Sequence, residues 1–186
     1  MTTFVESIRA EYVRYRTLAE SAIAQLGDDD LTRDGPSVGN SIAVICWHIG
    51  GNLRSRFTEF LSSDGEKPWR KREEEFRKRS VTRAELLEVW DGGWGVLLDA
   101  LSSLSDDDLG RTVTIRQQPL LVHEALHRSL SHLAYHVGQI VYIAKSLRGS
   151  EWKYLSIPPG GSDAYNRAPN AERAPAHTAS LNTPGK

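Results

Sequence analysis

The chain has 186 residues, long enough for one domain with a single sizeable core. Charged residues make up 25% and hydrophobic residues 39%, with a formal net charge of −1 from 23 basic and 24 acidic side chains. That balance gives no global pull toward nucleic acid or an anionic membrane, and the single cysteine, Cys46, excludes an intrachain disulfide and a multi-cysteine zinc site.

The opening "MTTFVESIRAEYVRYR" turns charged at once and lacks the apolar stretch of a signal peptide. No apolar run approaches the ~18 residues of a membrane span, so a cytoplasmic protein is expected. Residues 3–25 predict a first helix, with Phe4, Ile8, Tyr12, Tyr15, Leu18 and Ile23 near helical spacing. "GDDD" stops it and "TRDGPSVGN" forms the connection. A second helix starts at Ser41, which suits an N-cap, and runs to about residue 62. Cys46 sits in its apolar run "IAVICWHIG", which reads as a buried inert thiol and not a nucleophile.

"SSDGEKPW" follows as a loop, and the basic residues of "KPWRKREEEFRKR", residues 67–79, are interrupted by glutamates. This stretch reads as a solvated loop or helix face and not as a phosphate-binding patch. The third helix begins at "SVTRAE", where Thr82 and Glu85 have capping-box spacing, and continues to about residue 103. "GRTVTIRQQPLLV" alternates over Val113 and Ile115, which predicts a short extended piece or hairpin. The fourth and longest helix covers about residues 121–148. From Pro158 the composition turns to Pro, Gly, Ala, Ser and Asn, and residues 168–186 lack an apolar face, which predicts a disordered tail. The expected architecture is all-α: an up-and-down four-helix bundle over residues 1–167, followed by that tail.

The last helix holds His123, His127, His132 and His136. At about 100° per residue the first pair and the second pair lie on nearly opposite sides. The arc of Val122, Leu126, Leu133, Val137, Ile140 and Ala144 runs between them, with one pair at each edge. Either pair has the His-x3-His spacing of a two-point metal site, because rings one turn apart reach one ion. Spacing alone does not choose between them. His48 adds a third candidate: positions 42–49 are apolar nearly all round, so its ring needs a partner inside the protein. That partner is either a backbone carbonyl or the other histidines across the interior.

"WHIGGNLRSRFTEFLSSDGEKPWR", "HRSLSHLAYHVGQIVYIAKSL" and "LSIPPGGSDAYNR" together resemble the DinB-like (YfiT-like) superfamily of metal-dependent proteins. The similarity covers about residues 3–167 and is nearest to a bacterial subfamily of unknown function. What the resemblance implies is a four-helix bundle with a metal on three histidines, one on the second helix and an H-x3-H pair on the last. Matched here, the ligands are His48, His132 and His136, whereas His123 and His127 match no ligand position. Asn52, one turn from His48, and Gln139, three residues after His136, are candidates for the substrate pocket or for supporting the ligands. No catalytic residue is assigned, because no carboxylate stands at a motif position as a general base.

Some members of the superfamily are transferases or isomerases that use low-molecular-weight thiols. The resemblance therefore implies transfer of such a thiol to a small electrophile. A hydrolase working through a metal-bound hydroxide and a non-catalytic metal-binding stress protein are the alternatives. The cofactor is then a divalent ion, zinc or nickel first, with iron, copper and manganese also compatible with such ligands. A low-molecular-weight thiol is the second expected cofactor. The expected partner is a small-molecule substrate, with no nucleic acid and no membrane, and a homodimer is compatible with bundles of this kind. "VWDGGWGVL" places Trp90 and Trp94 four apart among three glycines, each costing roughly 1 kcal/mol of helix propensity. Tight packing or a cavity is expected there.

Overall fold

A computed structural model describes residues 2–36 and 39–169. In chain order the elements are α1 (Phe4–Ile23), α2 (Asp28–Thr32), α3 (Ile42–Phe57), α4 (Arg72–Glu75), α5 (Arg83–Ser103), β1 (Thr112–Ile115), β2 (Gln118–Leu121), α6 (Val122–Arg148) and α7 (Ser162–Asn166). Short 3-10 turns, Asp106–Gly110 and Gly149–Glu151, precede β1 and follow α6. The protein is mostly helical with one small antiparallel two-stranded sheet.

Each long helix starts where local chemistry satisfies its free amides. The Thr3 hydroxyl accepts from Glu6 N–H while Glu6 accepts from Thr3 N–H, and Thr82 and Glu85 repeat that capping box at α5. The Ser41 hydroxyl accepts from Val44 N–H at 3.2 Å to open α3. At α6 the Glu124 carboxylate reaches back to Leu121 N–H at 2.8 Å. Asp106 adds a distant cap, accepting from Phe4 and Val5 N–H at 2.9 and 3.0 Å, so negative charge sits at the positive end of α1.

The core lies among α1, α3, α5 and α6. Ile8, Tyr12, Ala19 and Ile23 face inward from α1; Ile42, Ile45, Ile49 and Leu53 from α3; Leu86, Trp90, Trp94 and Leu97 from α5; and Leu126, Leu133, Val137 and Ile140 from α6. Two of the buried polar ends find partners: Tyr12 donates to the Leu126 carbonyl at 2.9 Å and Trp90 to Glu20 at 3.1 Å. The most extensive packing joins α3 to α5 and α1 to α6, and α3 also meets α6. Gly50 and Gly93 make the first of these contacts possible. A Cβ on Gly93 would stand 2.6 Å from the Gly50 Cα, so the two helix backbones touch. Of the three glycines beside the tryptophans only Gly93 is used this way, since a Cβ on Gly92 or Gly95 would meet nothing.

Several boundaries differ from the sequence reading. "DDDLT", taken as part of a stop and connection, folds as α2 because Leu31 is pulled fully into the core. The second long helix ends at Phe57 and not near residue 62: Thr58 leaves helical geometry, and Glu59 takes a left-handed φ of 49°. The alternating segment before α6 is a hairpin, Thr112 opposite Leu121 and Ile115 opposite Gln118, turning on Arg116 and Gln117 at φ 53° and 62°. Two left-handed central residues are the signature of the turn whose twist matches a hairpin. Asp64 steadies it from the loop after α3, accepting from Arg116 N–H at 2.8 Å and Gln117 N–H at 2.7 Å.

After α6 the chain is tied to α1 through Gln25, which donates to the Lys153 carbonyl at 3.0 Å and accepts from Lys153 N–H at 2.8 Å. Leu155 packs half-buried against the core, whereas α7 is largely exposed. Most of the expected tail, residues 170–186, lies outside the described residues. Among the described residues no helix is long and apolar enough to cross a membrane.

Candidate metal centre

α3 places His48 inward because its neighbours on every side are apolar, and α6 brings His132 and His136 to it one turn apart. One ring nitrogen from each of the three lies within 4.8 Å of those of the other two. His132 Nε2 stands between the other two, 3.2 Å from His48 Nε2 and 3.1 Å from His136 Nε2. The remaining pair does not join them. His123 Nδ1 donates to the Leu109 carbonyl at 3.0 Å, and His127 is exposed with its ring edge against Phe4.

The outer ring nitrogens fix the chemistry of the inner ones. His48 Nδ1 faces Glu75 Oε2 at 2.9 Å, and His136 Nδ1 faces Gln139 Oε1 at 2.8 Å. Gln139 in turn donates to the Tyr135 hydroxyl at 3.1 Å, which orients its amide oxygen toward His136. A neutral imidazole that donates from Nδ1 presents a lone pair at Nε2. Two such lone pairs converge on His132 Nε2, which carries at most one proton and so satisfies at most one of them. With its own Nε2 unprotonated, His132 adds a third lone pair to these two. Such a set suits a cation, and imidazoles whose far nitrogens donate to a carboxylate or amide oxygen, as those of His48 and His136 do, are oriented as metal ligands are. The cluster could hold a metal ion.

Protonation favours the same state. Burial, then the neighbouring His136 and His48, then the charges of Arg70 and Arg56, push His132 down to about 4. His136 is also lowered, by burial first, against the opposing effect of the hydrogen bond it donates to Gln139. Both rings are neutral at pH 7.

Glu75 and Arg70 match no motif in the sequence, yet both lie at the site. The basic run of residues 67–79 is not simply a solvated face. Arg70 and Glu75 form a buried two-pronged ion pair, Nε to Oε1 and Nη2 to Oε2, both at 2.8 Å. Burial works to raise the Glu75 pKa, but the hydrogen bonds and charges of Arg70 and His48 outweigh it and hold the carboxylate below its ordinary range. Gly51 makes the space, since a Cβ there would stand 2.3 Å from Glu75 Oε1. Phe76 covers the His48 ring, with centroids 4.6 Å apart.

A cavity of about 360 Å³ opens beside the cluster, with His48 and His132 in its wall. Asn52 lines it, whereas Gln139 touches His136 and not the cavity. Cys46 is fully buried, and burial pushes its thiol up, which leaves it inert.

A family model described as a protein of unknown function, DUF1572, matches residues 1–161. The chain belongs to the DUF1572 family. DUF1572 falls within the DinB/YfiT-like superfamily, and the matched span contains the three histidines, Glu75 and the hairpin. No curated protein and no solved structure matches the chain.

Proposed function

We propose that this chain is a metal-dependent enzyme that transfers a low-molecular-weight thiol to a small electrophile, on an up-and-down bundle of its four long helices. The observation that carries the reading is the convergence of the Nε2 atoms of His48, His132 and His136, with Glu75 holding Nδ1 of His48 and Gln139 that of His136 as donors. His48, His132 and His136 would hold a divalent ion, zinc or nickel first, and its charge would favour the thiolate of a thiol that is otherwise mostly protonated near pKa 8.5.

The chain's own residues supply the rest. Arg70 and Glu75 orient His48, Gln139 orients His136, and Phe57, Phe60 and Leu120 give the cavity an apolar wall. None of the described residues lining the cavity is a carboxylate. Glu75, the carboxylate at the cluster, is bonded to His48 and Arg70. A water nucleophile gains from a free general base, and its lack favours the thiol. Balanced charge and the lack of a spanning helix among the described residues favour a small molecule in the cytoplasm over nucleic acid or a membrane.

The test is conjugation of a small thiol to a chloronitroarene by metal-loaded protein. Turnover should vanish on chelation and in His136→Ala, and return in the wild type with added metal. Metal-dependent ester cleavage in thiol-free buffer would replace this reading with a hydrolase. Full metal occupancy with neither reaction would leave a binding protein.

A further inference from the structure

The cavity beside the histidines is cationic although the chain as a whole carries −1. Arg56 of α3, Arg116 of the hairpin turn and Arg128 of α6 line it, with Arg70 and Arg72. These side chains are not equivalent. Both prongs of Arg70 are taken by Glu75, and Arg72 contacts Glu73 and lies over the Phe76 ring. Arg56 and Arg116 share one carboxylate: Arg56 Nη1 and Arg116 Nε each stand 3.1 Å from Glu66 Oε2. Arg56 Nη1 also donates to the Gly65 carbonyl, which fixes its direction. Arg128 makes no ion pair among the described residues. Of these three guanidinium groups two share a single carboxylate, and the third has none among the described residues. The lining also has apolar members, Phe57, Phe60 and Leu120 among them.

We infer that the cavity takes an anionic small molecule, its carboxylate or phosphate group held by Arg56, Arg116 and Arg128 and its apolar body laid on Phe57, Phe60 and Leu120. A planar fork of N–H donors matches an oxyanion, and a charge-assisted bond in a recess is screened less than one on an open surface. Asn52, whose side chain makes no hydrogen bond among the described residues, adds an amide donor in the same cavity. The inference names the substrate class of the three-histidine reading and rests on it for the reacting centre, while the anion site itself stands without an ion.

Isothermal titration of full-length protein, metal-free and zinc-loaded, with phenylphosphonate, benzoate and neutral benzamide tests it. Both anions should bind metal-free protein at least ~tenfold tighter than benzamide, and more weakly as salt rises. Arg116→Gln and Arg128→Gln should each weaken the anions ~tenfold, while Arg14→Gln, on the outer face of α1, should not. Both target side chains are exposed, so the fold should survive the change. Equal affinity for anion and amide, or anion affinity unmoved in Arg128→Gln, would overturn the inference. Zinc stoichiometry on the same samples judges the ion reading separately: no zinc with retained, arginine-dependent anion binding supports the anion site and sinks the metal.

Discussion

Glu75 Oε2 and His48 Nδ1 meet at 2.9 Å, and Arg70 grips the same carboxylate from its other side. The residues come from different parts of the chain, 27 positions apart, so α4 returns to orient the imidazole that α3 carries. Removing the negative charge while keeping the shape should therefore loosen the site without emptying it. Glu75→Gln is expected to weaken zinc binding about 10–100-fold, measured by competition with a chromophoric chelator. The neighbouring Glu73→Gln, whose side chain is 87% exposed, should leave affinity unchanged. Wild-type affinity in Glu75→Gln would remove the carboxylate from the site's machinery.

The ligand set is open to direct substitution. His48→Ala, His132→Ala and His136→Ala should each abolish stoichiometric metal by elemental analysis, whereas His123→Ala and His127→Ala should retain it. Full occupancy in His48→Ala would break the three-histidine assignment.

Asp64 makes acid stability legible. Hydrogen bonds from the backbone N–H groups of Glu66, Gln117 and Arg116 hold its carboxyl down to about 2, below the ordinary 3.8. A depressed folded-state pKa contributes stability that is complete above the unfolded value and is lost as pH falls through the folded one. Asp64→Asn should lower Tm by a few degrees at pH 7, and its deficit should shrink between pH 4 and pH 2. A constant deficit across that window would show that charge is not the cause.

The contact of α3 with α5 predicts opposite signs for adjacent positions. Gly93→Ala would place its Cβ against the Gly50 backbone and should cost about 1–3 kcal/mol or more, since two helix backbones must separate. Gly92→Ala meets nothing within 4 Å and should stabilise by up to about 1 kcal/mol through helix propensity. Chemical denaturation of the two variants checks both. Equal effects would mean that the helices are free to slide.

What could be read from sequence was what local chemistry carries. The caps at Thr82 and Ser41, the hairpin alternation and the inward-facing His48 all follow from residues within a few positions of one another. The choice of His132 and His136 over His123 and His127 did not; it needed the family resemblance, because helical angle left both pairs at the edges of one arc. Glu75 was hidden for a physical reason. It ends a run of three glutamates, and only the notch at Gly51, on another helix, distinguishes it from its exposed neighbours. The cavity's arginines were hidden similarly, scattered over α3, the following loop, the hairpin and α6 among many surface arginines.

His48 and His132 are separated by 84 positions yet stand 3.2 Å apart. No fragment of the chain that contains α6 alone presents the ligand set, so ion binding is coupled to completion of the whole fold. On the metal-dependent reading, each tenfold rise in free ion above Kd adds about 1.4 kcal/mol to the folded state. A typical domain is held by only about 5–15 kcal/mol. The supply of the ion would then govern how much of this protein a cell retains, as well as whether it turns over.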